Sequence, residues 1–184
     1  MFETRIYISS VKFLYDKKEF EKYYKLVPEY RRNKIDSYQT QKDKCLSLGA
    51  GLILSLALKE AGLNEDELEY AYKESGMPYF KNYPEVYFSL SHSEERVMCG
   101  ISENPIGVDV ELIKDGKDDE YSWWTKTESY AKATDTRLAT LLDGKTVFNT
   151  EFRFKNPEYK DGYKYSVCSE EFINDTQINY TSRM

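Results

Sequence analysis

Asp109 and Glu111 alternate with Val108, Val110 and Leu112 in the stretch from Ile106 to Leu112. Successive side chains of a strand point to opposite faces, so the apolar set takes one face and Gly107, Asp109 and Glu111 share the other, the two carboxylates about 7 Å apart. Such a pair suits a hard cation, because Mg²⁺ takes one or two carboxylates and leaves its remaining positions to water and phosphate oxygens. The same pattern also describes the solvated outer face of an ordinary strand. Glu128 and Lys132 are four apart on a helical stretch and share a face. Alone they describe a surface ion pair. In chain order, a carboxylate-bearing strand followed by a helix with a third acid and a cation is what a magnesium pyrophosphate ester needs, acid for metal and lysine for phosphate.

His92 is the only histidine and sits between Ser91 and Ser93 in a polar run ending at Glu95. A histidine at a strand end binds phosphate or handles a proton, and equally serves as a structural hydrogen-bonding group. Arg31, Arg32 and Lys34, then Lys42 and Lys44, form the densest basic stretch. They suit either an anion clamp for the phosphates of a nucleotide-like cofactor or a solvated helix face. A Ser-His-Asp hydrolase is disfavoured because the chain has no G-x-S-x-G, and neither a P-loop nor a G-x-G-x-x-G occurs.

Elements must carry these groups. Ile6 and Ile8 alternate with polar neighbours as a first strand, and Lys17 to Leu26 has Phe20, Tyr23 and Tyr24 at helical spacing. The stretch from Glu29 to Ala61 lacks proline, and Cys45, Leu48, Leu52 and Leu56 step as one helix face, predicting a long helix packed on a sheet and stopped by Gly62. Leu68 to Tyr72 is a short strand before a turn at Ser75 to Pro78. Val86, Phe88 and Leu90, then Val97, Cys99 and Ile101, predict strand, loop, strand around the polar run at His92. After the strand from Ile106 to Leu112, residues Asp115 to Glu120 form a charged connection and Trp123 to Lys132 a helix. Val147 to Phe154, Tyr163 to Cys168 and Gln177 to Tyr180 are read as strands. The fold class is α+β, with a boundary near Asn104 and Pro105.

Of 184 residues, 40% are hydrophobic and 15% aromatic, enough to bury a core and to exclude wholesale disorder. The net charge of −6 argues against a dedicated nucleic-acid binder. Residues 1–60 nevertheless hold 12 Lys/Arg against 8 Asp/Glu, so an anion prefers the first part of the chain and a cation the remainder. The longest apolar run, Cys45 to Leu58, is 14 residues and falls short of the roughly 20 that span a bilayer. Residues 1–20 show no apolar signal core, and Cys45, Cys99 and Cys168 lack metal or redox spacing. A reduced, cytoplasmic protein is expected.

Three segments in order carry a family resemblance: Ser89-Leu90-Ser91-His92-Ser93, Gly107-Val108-Asp109-Val110-Glu111, and Trp124-Thr125-Lys126-Thr127-Glu128-Ser129-Tyr130-Ala131-Lys132. With weaker support from Gly76 to Phe80 and Gly162 to Cys168, most of the chain resembles the surfactin-synthetase-activating type of 4′-phosphopantetheinyl transferase. The resemblance implies a monomer built as a pseudo-dimer of two similar α/β halves, each a small, mostly antiparallel sheet packed on a helix. Residues 1–104 would form the N-terminal half, with the basic coenzyme A-phosphate side, and residues 105–184 the half with the acidic metal site. Coenzyme A would bind between them, and its phosphopantetheine arm would pass to a serine of an apo acyl or peptidyl carrier protein, releasing adenosine 3′,5′-bisphosphate. Neither nucleic acid nor membrane is an expected partner.

Position by position, Asp109, Glu111 and Glu128 would hold Mg²⁺ against the pyrophosphate. Glu128, directly or through water, would help deprotonate the acceptor serine. Lys132 would neutralise the leaving phosphate, and Ser91 and His92 would hold coenzyme A phosphate beside the basic residues Arg31, Arg32, Lys34 and Lys44.

Departures from the family pattern are specific. Met77 stands where the family has Lys in a Gly-Lys-Pro turn, and Cys45 where it has Arg in the long helix; Lys44, Lys73 or Lys81 would have to substitute. Thr127 replaces a Lys, and Asp135 and Arg137 occupy positions of expected glycines. Only the 12 residues from Leu112 to Trp123 separate Glu111 from Trp124, where the family has several tens, including a stretch that helps receive the carrier. Two competing readings follow: a non-catalytic homologue that binds coenzyme A or a carrier protein, and a magnesium-dependent phosphate-ester hydrolase.

Overall fold

The structure is a computed structural model describing residues 2–114, 116–142 and 147–181. In chain order it comprises β1 (Arg5–Ser10), α1 (Lys17–Tyr24), α2 (Glu29–Ser37), α3 (Gln41–Glu60), β2 (Tyr70–Tyr72), β3 (Pro78–Phe80), β4 (Tyr87–Ser93), β5 (Arg96–Ser102), β6 (Ile106–Leu112), α4 (Asp118–Thr134), β7 (Arg153–Lys155), β8 (Tyr163–Ser169) and β9 (Ile178–Thr181). The class is α+β. One sheet has the order β4-β5-β1-β9 and another the order β6-β8-β7, with β2 and β3 forming a separate hairpin. Strand β9, from the end of the described chain, pairs in parallel with β1, Tyr7 opposite Asn179.

The elements stack in four layers. Alternation on β1 and β5 sends Tyr7, Val97 and Cys99 toward α3, where they pack with Leu48, Leu52 and Ile53. Ile6, Ile8 and Met98 point the other way and meet Val108, Val110, Tyr165 and Val167 of the second sheet. On that sheet's far side Cys168 packs with Tyr130 and Ala131 of α4. The two sheets are thus sandwiched between α3 and α4, and the site helix α4 lies directly on β6.

Several expectations change in detail. The helix expected from Glu29 to Ala61 is interrupted: Tyr38 is extended, and Thr40 caps a new helix by accepting from the Asp43 amide at 3.0 Å. Asp118, Asp119 and Glu120, expected in a connection, form the first turn of α4, where their charge suits the helix N-terminus; Asp115 lies outside the described residues. Of the strand expected over Val147 to Phe154, only Arg153–Lys155 pairs, because Asn149 folds the chain into a turn by accepting from the Glu151 and Phe152 amides. His92, expected in a loop, lies within β4, which runs to Ser93 before a two-residue turn at Glu94 and Glu95.

Candidate active site

The side chains of Ser89, Ser91 and Ser93 alternate along β4 and face the unpaired edge of β6. Their hydroxyls accept from the Val108, Val110 and Leu112 amides at 3.0, 3.4 and 3.2 Å, so three serines close a seam between strands of different sheets. Two of them also orient acids: Ser91 Oγ donates to Asp109 Oδ1 and Ser93 Oγ to Glu111 Oε2, each at 2.7 Å. Period-two serines beside period-two acids were a signal for this seam that sequence reasoning missed.

Glycine at 107 brings the helix down. A Cβ there would stand 1.9 Å from the Ser129 carbonyl oxygen and 2.6 Å from the Ala133 nitrogen, so α4 touches the β6 backbone. That approach puts Glu128 beside the strand acids. Ligand oxygens of Asp109, Glu111 and Glu128 lie within 4.8 Å of one another. Asp109 is 1% exposed, which overturns the solvated-face alternative for it, and its Oδ2 is buried with no hydrogen-bond partner among the described residues. An all-oxygen donor set with one buried carboxylate oxygen left open fits a hard cation such as Mg²⁺.

Lys132 Nζ donates to Asp109 Oδ1 at 2.7 Å and to the Val108 carbonyl at 3.1 Å, and lies 3.4 Å from Glu128 Oε2. Burial raises the Asp109 pKa, the Glu128 charge adds to the rise, and Lys132 opposes it.

A cleft of about 440 Å³ runs from these groups along β4 to α2 and α3. Its lining brings together Arg31, Lys34, Ser91, His92, Asp109, Glu111, Glu128 and Lys132, with Ser47 on α3 and Ser75 to Pro78 on the β2–β3 hairpin. Arg31 is 5% exposed; its stem packs on Gly51, where a Cβ would come within 2.8 Å of Cγ, and its Nε has no partner among the described residues. The Ser47 hydroxyl is likewise buried and unpartnered. A buried cation and two unpartnered donors on this wall are of a chemistry that suits an anion. His92 sits at the cleft wall, its pKa lowered by desolvation and by the charges of Lys132 and Lys34.

Two basic residues lie elsewhere. Arg32 turns back to donate to the Val27 carbonyl at 2.6 Å, and Lys44 is half-buried on α3 outside the cleft lining. Cys45 is buried, its thiol donating to the Leu14 carbonyl. Lys73 pairs with Asp135. A larger open concavity of about 710 Å³ over Trp123 and Trp124 shares Glu111 with the cleft, and its lining among the described residues is acidic and aromatic. Among the described residues no helix is long and apolar enough to cross a membrane.

No family model matches the chain. Among curated proteins it is similar to a 4′-phosphopantetheinyl transferase of Bacillus subtilis, 27% identical over 73% of this chain and 71% of that protein. It is similar to the 4′-phosphopantetheinyl transferase Sfp of Bacillus subtilis (strain 168), 23% identical over 88% of this chain and 92% of that protein. A third relative, the 4′-phosphopantetheinyl transferase gsp of Aneurinibacillus migulanus, is 27% identical over 78% and 76% of the two chains. The match to Sfp runs over 205 positions, more than the 184 residues here, so that relative carries residues without a counterpart in this chain.

Proposed function

We propose that this chain is a Mg²⁺-dependent 4′-phosphopantetheinyl transferase of the surfactin-synthetase-activating type, moving the phosphopantetheine arm of coenzyme A to a serine of an acyl or peptidyl carrier protein. The observation that carries the reading is the cleft itself: three carboxylates and Lys132 at one end, and buried Arg31 with Lys34 at the other. The names of the relatives support the same reaction.

In this reading Asp109, Glu111 and Glu128 hold the metal, which when bound supplies positive charge to the pyrophosphate. Arg31, Lys34 and His92 bind phosphate at the nucleotide end and fix the ester's orientation, while Ser91, whose proton is committed to Asp109, serves the metal end. The acceptor serine oxygen forms a bond to the phosphorus bearing the pantetheine arm, and the bond from that phosphorus to the bridging oxygen breaks. Glu128 takes the hydroxyl proton, and Lys132 faces the charge that develops on the departing adenosine 3′,5′-bisphosphate. Because the leaving group is good, alignment and charge stabilisation suffice.

The reading extends to residues 1–104 and 105–184 as two related halves and to a cytoplasmic monomer without nucleic-acid or membrane partners. The residues of Sfp that lack a counterpart favour one alternative, a homologue that binds coenzyme A or a carrier without transfer. Titration calorimetry with coenzyme A tests the site: binding should tighten at least tenfold with Mg²⁺, because carboxylates and pyrophosphate repel each other without it. Equal affinity with and without Mg²⁺ would overturn the metal assignment.

A further inference from the structure

Asp135, at the end of α4, has φ +54°, a left-handed conformation that usually selects glycine. Its side chain reaches out of the helix to the tip of the β2–β3 hairpin: Ser75 Oγ donates to Oδ1, and Lys73 Nζ stands 3.2 Å from Oδ2. Among the described residues the hairpin pairs with no other strand. At its base Tyr70 stacks on Tyr30 with ring centroids 4.0 Å apart, and Phe80 on Phe88 at 4.5 Å. Its tip is stiffened by its own bonds, the Lys73 amide to the Met77 carbonyl and the Gly76 amide to the Lys73 carbonyl, both 2.9 Å. The hairpin is thus packed at its base and latched at its tip, where Gly76 and Met77 line the cleft.

We infer that Asp135 is a positioning residue that latches the hairpin tip across the cleft and sets how tightly a phosphate-ester ligand is held, without entering the chemistry. The inference rests on the reading of the cleft as a coenzyme A site. An exposed ion pair and one hydrogen bond make a weak latch. The tip therefore opens readily for ligand entry, and the latch acts on release more than on capture.

The test compares the full-length wild-type chain with Asp135→Gly and Asp135→Asn. Glycine is at home at this φ, so Asp135→Gly should melt no lower than wild type although it can neither pair with Lys73 nor accept from Ser75. Amide exchange at Lys73 and Gly76 in the ligand-free protein should quicken by about three- to tenfold, the scale of one exposed ion pair and one hydrogen bond. The coenzyme A dissociation constant in Mg²⁺ should rise by a similar factor through a faster off-rate, with the maximal transfer rate unchanged. Asp135→Asn keeps the backbone conformation and the bond from Ser75, and should fall between the two. Unchanged exchange in Asp135→Gly overturns the latch, and so does an unchanged dissociation constant. A wild-type chain that binds no coenzyme A instead sinks the nucleotide reading, and the exchange rates then decide the latch alone.

Discussion

The ammonium of Lys132 stands 2.7 Å from Asp109 Oδ1 and 3.4 Å from Glu128 Oε2, so the lysine is the counter-charge of the two acids expected to hold metal. Removing it should leave those carboxylates facing each other. Lys132→Met should lower stability by about 2 kcal/mol, less than a fully enclosed pair because the lysine is partly exposed. Mg²⁺ should raise the melting temperature of the variant more than that of wild type. A variant as stable as wild type, indifferent to Mg²⁺, would show that the pair carries no repulsion to relieve.

Burial pushes the Asp109 carboxyl up to about 7, with the Glu128 charge adding to the rise. A carboxyl with a raised folded pKa favours the protonated native state, so its contribution is complete below the ordinary value of 3.8 and is lost as pH climbs toward 7. Urea unfolding should therefore show wild type losing stability between about pH 4 and pH 7 relative to Asp109→Asn, with no further relative loss above that. Mg²⁺ needs the ionised acid, so its binding at pH 6 should release protons, read as a buffer-dependent binding enthalpy. Identical pH slopes for the two proteins would contradict the assignment.

Gly107 decides whether α4 reaches the strand. Gly107→Ala should cost about 3 kcal/mol, because the added carbon meets helix backbone and not a movable side chain. Metal affinity should fall with it, since Glu128 retreats with α4. Denaturant melts and Mn²⁺ titration check both. An alanine variant of wild-type stability would mean that the approach is looser than 1.9 Å implies.

Ser91 and Ser93 each join a β6 amide to a strand carboxylate. Ser91→Ala should lose about 1 to 2 kcal/mol by stranding buried groups. It should also weaken metal binding by about tenfold, the usual effect of removing a group that orients a ligand. Ser89→Ala removes a β6 contact without touching an acid, so it should lower stability while leaving metal affinity in place. Equal metal affinities for the two variants would remove the orienting role of Ser91.

Much of this was legible in residue order. Alternation around Asp109 and Glu111 gave β6, and the four-residue spacing of Glu128 and Lys132 placed both on α4. The closeness of the two sets was not legible, because it depends on what fits above Gly107, a tertiary fact. Thr40 with Asp43 three residues later carries the capping signal for α3, which the apolar spacing of Cys45 to Leu56 does not show, so the break before α3 is not evident from that spacing. Arg31 and Arg32 are indistinguishable in sequence; only packing shows that one is buried in the cleft wall with its guanidinium over the Tyr30 ring and the other donates to the Val27 carbonyl. Asp135, in a position suited to glycine, gave no hint that its side chain grips the hairpin.

Transfer itself is tested most directly by mass. Incubating the protein with coenzyme A, Mg²⁺ and a panel of apo carrier proteins from fatty-acid, polyketide and nonribosomal systems should add one phosphopantetheine mass to at least one carrier. Glu128→Gln should suppress that addition more than it weakens coenzyme A binding, and Lys132→Ala should slow it by about 10² to 10³. A wild-type protein that binds coenzyme A while every carrier keeps its original mass would contradict transfer and leave the cleft a binding site.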